Sequence, residues 1–183
     1  MKNPLPIATL LLSFATYSYA EGPKYIQLVD KLDRPEDGYC LDVVGSGDQV
    51  RLDMPLTSHN CKGPQPYHDE IVEFRDDGTL FFPAYRGCVT VMGVNQIALA
   101  GNALMLKRCG AVEPFLNGPA FQHFKHKANG QFQLLGSNLC IVSGKSSHTT
   151  YSPDHKWRSL YMEDCDKASL PYSAWKVAEA GYD

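Results

Sequence analysis

The side chains able to do chemistry are few, and their spacing points to binding rather than catalysis. In GYCLDVV, residues 38–44, Asp42 stands among apolar strand formers, where a carboxylate is either a turn residue or a ligand contact. His123 and His126 are three apart on a predicted strand; such residues face opposite sides of a sheet, so no shared metal ion is expected there. His148 and His155 flank Tyr151 and Trp157 in SSHTTYSPDHKW, a polar loop that is either solvated or a binding loop on a rigid frame. There is no GxSxG elbow and no HExxH pair, and GSGDQV precedes no helix that could carry a phosphate. Asp76 and Asp77 fall in a predicted hairpin turn, which accounts for them without acid catalysis. The expectation is a protein with no enzymatic activity, no cofactor and no metal.

Six cysteines, Cys40, Cys61, Cys88, Cys109, Cys140 and Cys165, accompany an N-terminal export pattern. Residues 1–20 carry a lysine, the apolar run LPIATLLLSFA and the small residues Ser18 and Ala20, a signal peptide with cleavage expected before Glu21. The run is too short to span a bilayer comfortably, and no later segment resembles a transmembrane helix. The short signal and the absence of an Asn-x-Ser/Thr sequon point to a secreted or periplasmic protein of a Gram-negative bacterium. A net charge of −3 without a Lys/Arg cluster gives no reason to expect nucleic acid or an anionic membrane as partner. An even cysteine number in an exported chain reads as a disulfide framework, and no CxxC suggests a zinc ribbon or a redox site.

The cysteine spacings reveal the elements that must position these residues. Cys40 to Cys61 and Cys88 to Cys109 are each 21 residues, and Cys140 to Cys165 is 25. GYCLDV, RGCVTV and SNLCIVS each place the first cysteine in a β-branched run, and Phe74, Phe124 and Trp175 follow at intervals of 50 and 51 residues. DDGTLFF and KANGQFQLL then repeat a glycine turn followed by a strand. A period near 50 residues with short apolar runs and little helical periodicity predicts an all-β chain of three repeats, about 33–84, 85–136 and 137–178, in one domain over 21–183. Each of the first two repeats supplies four strands and the third only three. The strand in KYIQLVD, 24–30, is therefore expected to pair beside WKV, bringing the count to twelve and closing a barrel through the termini. Equivalent positions should have equivalent partners, which predicts Cys40–Cys61, Cys88–Cys109 and Cys140–Cys165; crosslinks between repeats are the alternative.

These residues resemble the ricin-type β-trefoil, the R-type lectin domain, over nearly all of the chain beyond residue 20. The resemblance rests on CLDV at 40–43, GNALMLKRC at 101–109 and QHF at 122–124, a variant of the family's Gln-x-Trp signature; VEF and SAW keep the aromatic and lose the Gln. It implies a sugar site in which an Asp just after the first cysteine accepts hydrogen bonds from two hydroxyls beside an aromatic platform, a sensible partner for a sugar's polar and apolar faces.

Carried over by position, the Asp is Asp42 in the first repeat but Thr90 and Val142 in the others. The platform position holds Lys107 and Glu163, and the polar position Met105 and Tyr161, so the second and third repeats lack the family's sugar contacts. In the first repeat two alignments are open. Thr57 takes the polar position and His59 the platform without gaps, or Arg51 and Asp53 take them if Val50 and Leu52 set the alternation. Tyr67 could supply an aromatic from the following loop, with Tyr151 and Trp157 as secondary contacts.

The implied function is that of an exported, lectin-like carbohydrate-binding protein with its glycan site in the first repeat. The alternative is a degenerate trefoil serving as a protein-interaction, accessory or toxin-delivery subunit without sugar binding. A trefoil protease inhibitor fits the paired cysteines least well.

Overall fold

Short β-branched runs punctuated by Gly and Pro form antiparallel strands throughout the computed structural model, which describes residues 23–63 and 67–179. The signal peptide expected at residues 1–20 lies outside the described residues. From the N-terminus, β1 is Lys24–Leu28, β2 Tyr39–Asp42, β3 Thr57–Asn60, β4 Glu73–Phe74, β5 Leu80–Phe82, β6 Gly87–Val91 and β7 Leu104–Arg108. There follow β8 (Val112–Glu113), β9 (Leu116–Asn117), β10 (Phe124–His126), β11 (Phe132–Leu134), β12 (Leu139–Ser143), β13 (His148–Thr149), β14 (Lys156–Asp164) and β15 (Trp175–Glu179). The two α-helices among the described residues, Gly118–Phe121 and Leu170–Ser173, are single turns with Pro near their start. The chain is all-β, as expected, but has fifteen short strands among the described residues where twelve were expected. The additional ones are β8 and β9, a small hairpin, and β13, which the long Cys140–Cys165 interval adds to β14.

Nine strands form one antiparallel sheet in the order β10-β11-β12-β14-β3-β2-β1-β15, with β13 also on β14, and β4 to β7 form a second sheet. The expected pairing of the terminal strands is observed: β1 runs against β15 from Lys24 opposite Glu179 to Leu28 opposite Trp175. The large sheet curls until Gln131 bridges Ala174, and Thr79 bridges His123 between the two sheets. Two glycines make these approaches possible. Gly78 (φ +86°) and Gly130 (φ +86°) occupy turns where a Cβ would stand 2.7 Å from the Phe124 carbonyl oxygen and 3.2 Å from that of Trp175.

Three hairpins are each stapled near their open end. The disulfides are Cys40–Cys61, Cys88–Cys109 and Cys140–Cys165, each with a Cα–Cα distance of 5.0 Å. Each closes a loop whose entropy in the unfolded chain is worth about 3 kcal/mol. Inward residues of the strands, among them Leu28, Leu41, Phe82, Val89, Phe132 and Trp175, form one buried apolar cluster.

Candidate functional site

The chemistry-bearing residues of the first hairpin gather beneath its disulfide. All four residues of β2 are buried, so its last residue, Asp42, enters the interior opposite Thr57 of β3. Asp42 is 2% exposed. Beyond Cys61 the chain passes through Lys62 and returns in a turn at 67–70, where Glu70 N–H donates to the Tyr67 carbonyl (3.0 Å) and Val43 N–H donates to that of Asp69 (3.2 Å). This turn delivers two more buried acids, Asp69 and Glu70, to Asp42. Lys62 Nζ lies 2.9 Å from Asp42 Oδ2, 2.5 Å from Asp69 Oδ2 and 4.0 Å from Glu70 Oε1, and the Lys62 amide donates to Glu70 Oε2 at 2.9 Å. His59 completes the group, with Nδ1 3.8 Å from Asp42 Oδ2 and 2.9 Å from the Asn60 carbonyl. Three buried carboxylates thus surround one ammonium.

The electrostatics follow from that imbalance. Burial, reinforced by the charge of Asp69 and opposed by Lys62, pushes the Asp42 carboxyl up to about 8. Burial and the Asp42 charge likewise raise Glu70 well above the carboxylate range. Burial alone would lower Lys62, but Asp42, Glu70 and Asp69 outweigh it and hold the ammonium above its ordinary value. Burial, opposed by the hydrogen bond to Asn60 and aided by the Lys62 charge, lowers His59 to about 4, so its imidazole is neutral.

A measurable pH dependence results. Between the ordinary carboxylate range and about pH 8 the folded chain retains a proton on Asp42 that the unfolded chain has released, and the raised Glu70 carboxyl acts in the same direction. Stability from this source is full at low pH and falls as pH rises towards 8. His59 acts oppositely and only lower, since its lowered value costs stability as pH falls from 6.5 towards 4. Urea unfolding between pH 6.5 and 8 therefore isolates the carboxylates. Wild type is expected to lose about 1–2 kcal/mol over that interval and Asp42→Asn much less; equal slopes in the two proteins would contradict the assignment.

The structure separates the other expected site residues. Thr57 and His59, the residues of the gapless alignment, lie on β3 beside β2. Arg51 and Asp53 lie in the turn before it and pair with each other at 2.7 Å on an exposed surface. Tyr67 stands at the mouth of the carboxylate group, 44% exposed, with Lys62 Nζ 6.0 Å from its ring centroid. Trp157 sits on β14 opposite His59, with the His148 ring 6.0 Å away, while Tyr151 is fully exposed. The loop that carries them is tied to the first hairpin through Asp33, which accepts from Arg158, Tyr39 (2.8 Å), Lys156 (3.1 Å) and Ser147 (2.7 Å).

Lys62, Asp69 and Glu70 were not singled out by the sequence. Their signal was faint: a lysine directly after a paired cysteine, and an acid pair in YHDE that reads as an ordinary polar turn.

A second feature is apolar. Val94, Ile97, Leu99, Val112 and Phe115 are all more than half exposed. They lie on the loop 94–99 and on the β8–β9 hairpin, which are joined by the hydrogen bond from Asn95 N–H to the Phe115 carbonyl (2.8 Å) and by the Asn95–Leu116 bridge. Phe115 is 75% exposed and holds a left-handed backbone (φ +63°), unusual for a bulky residue, while its neighbour Leu116 is buried and anchors the hairpin.

No protein-family model matches the chain, and no curated protein matches it. Among solved structures, the solution structure of the mdaA-1 domain is similar, with a TM-score of 0.60 and 14% identity over 92% of this chain and 98% of that one. At that identity the likeness is one of fold alone.

Proposed function

We propose that the chain is a three-repeat β-trefoil that acts by binding a protein partner, as an accessory or interaction subunit of an exported assembly. The repeated cysteine spacing, the three stapled hairpins and the pairing of β1 with β15 support the trefoil. Three disulfides fit an oxidising compartment, and among the described residues no helix is long and apolar enough to cross a membrane.

The observation that carries the binding role is the apolar surface of the second repeat. Scattered exposed apolar residues are ordinary, but five on a loop and a hairpin bonded to each other, with a strained Phe at one turn, form a surface of the kind that partners cover.

Glycan binding is the second reading, favoured by Tyr67 beside the carboxylate group. It ranks lower because Lys62 covers Asp42, and a sugar hydroxyl would have to displace that ammonium.

Replacing Ile97 and Phe115 together by Ser should leave the unfolding free energy within about 1 kcal/mol, since both side chains are exposed. It should weaken capture of a cognate protein from the native extracellular fraction by tenfold or more. Undiminished capture by the double variant, or a glycan array on which wild type binds and Asp42→Ala does not, would overturn this reading.

A further inference from the structure

The second hairpin shows what the space beneath a disulfide requires structurally. There the Asp42 position is Thr90, whose hydroxyl accepts from Gln122 Nε2 at 2.8 Å. Gln122 also donates to the Arg108 carbonyl (3.1 Å) and accepts from Gly110 N–H (2.7 Å), the amide just after Cys109. Glu70 performs the last of these duties in the first hairpin, accepting from the amide just after Cys61. One neutral amide and one hydroxyl therefore suffice to finish a hairpin of this kind, and three buried acids exceed that need.

The excess is concentrated on particular atoms. Asp42 Oδ1 and Glu70 Oε1 are buried with no hydrogen-bond donor among the described residues. Both residues are more than nine-tenths buried, and such atoms cost free energy unless something compensates them. One donor atom each from Asp42, His59 and Glu70 lies within 4.8 Å of the others. A tetrahedral ion with bonds of about 2.0–2.2 Å needs donors roughly 3.5 Å apart, which small side-chain rotations supply. The Asn60 carbonyl can only accept, so His59 Nδ1, the nitrogen 3.8 Å from Asp42 Oδ2, carries the proton, and the imidazole must turn within the site to present the lone pair of Nε2 to an ion. A backbone carbonyl on the far nitrogen is the usual support of a metal-binding imidazole.

The geometry points to a divalent cation site formed by Asp42, Glu70 and His59, with Lys62 as a displaceable internal cation. Two carboxylates and one imidazole suit Zn²⁺ or a similar transition ion and leave a fourth position open. An ammonium 2.9 Å from Asp42 cannot remain beside such an ion. Lys62 is 13% exposed at its side chain and has the Tyr67 ring 6.0 Å away, so it has an outward route. Binding then exchanges one positive charge for two among three acids.

Zinc itself is the probe. After chelator treatment, the full chain and its variants are titrated with Zn²⁺ by calorimetry, with near-UV circular dichroism to verify folding. Wild type should take up one equivalent, Lys62→Met should bind at least tenfold tighter, and Asp42→Asn with Glu70→Gln should bind at least a hundredfold more weakly. Should the double variant not fold, anomalous diffraction at the zinc edge of wild type should place the ion among Asp42, His59 and Glu70. Absence of a stoichiometric site in both wild type and Lys62→Met would overturn the proposal, as would unchanged affinity in the double variant or an anomalous peak elsewhere.

Discussion

Lys62→Met is expected to destabilise the metal-free protein by about 3–5 kcal/mol, the usual cost of removing one partner from a buried ion pair. Met keeps most of the aliphatic stem and so retains its packing; what is lost is the ammonium that, among the described residues, pairs with Asp42, Asp69 and Glu70. Those carboxylates stay buried and can be neutralised only by protons. The loss should therefore be largest above pH 7 and shrink as pH falls into the carboxylate range. Urea unfolding at two pH values measures it. A further test separates charge from packing: adding Asp42→Asn and Glu70→Gln to Lys62→Met should recover much of the loss, because the interactions within one network are not additive. A loss below about 1 kcal/mol at pH 8 would mean that protons, and not the lysine, already hold the cluster together.

The periodic features of this fold could be read from the sequence because they rest on spacing. Cys40, Cys88 and Cys140 recur with their partners at matching intervals, and the three disulfides are those that equivalence implies. The strand expected from KYIQLVD pairs beside β15, as the sequence predicts. The carboxylate cluster could not be read this way. Glu70 lies four residues before Phe74, whereas Gln122, which accepts the equivalent amide, lies two before Phe124. The two do the same work from different positions, so aligning the repeats conceals it. Lys62 occupies the position of Gly110, where no side chain exists to compare. Asp42 stands out in the sequence because it differs from Thr90 and Val142, but the sequence does not show that the chain folds back at 67–70 and covers it.

The third hairpin solves the same problem in another way, which clarifies why the first is different. Val142 needs no polar partner, and Gln131, just before β11, donates to the Cys165 carbonyl at 3.1 Å and to Ser173 Oγ at 3.3 Å. The Ser173 of SAW replaces the Gln of QHF, and a second residue provides the amide. Neutral amides thus complete two hairpins from different places in the chain. In the third hairpin the amide just after Cys165 donates to the half-exposed Asp164 carboxylate (3.0 Å). What sets the first apart is that its acids are buried, with two acid oxygens lacking donors among the described residues, and this contrast separates a structural role from a binding one.

Trp175→Ala should cost about 3–5 kcal/mol, the range for truncating a fully buried aromatic residue. The indole is 1% exposed, and its Nε1–H donates to the Ile141 carbonyl of β12 at 3.0 Å. Its backbone joins three further elements: the amide donates to Gly130 (2.8 Å), His126 Nε2–H donates to its carbonyl (2.9 Å), and Leu28 of β1 lies opposite. Losing the ring should therefore loosen β15 and, with it, β1, which also pairs with β2 at Gln27 and accepts from Val72 N–H at the Lys24 carbonyl (2.9 Å). Hydrogen exchange should show protection falling at both ends of the described chain, 24–28 and 175–179, before it falls at β6 or β7. Trp175→Phe separates the two contributions, since it keeps most of the buried ring and deletes the N–H. If burial dominates, Phe should cost about 1–2 kcal/mol, near the value of one hydrogen bond plus the lost ring volume. A Phe variant as unstable as the Ala variant would place the stability in the bond to Ile141, making the terminal closure depend on one carbonyl rather than on the packed ring.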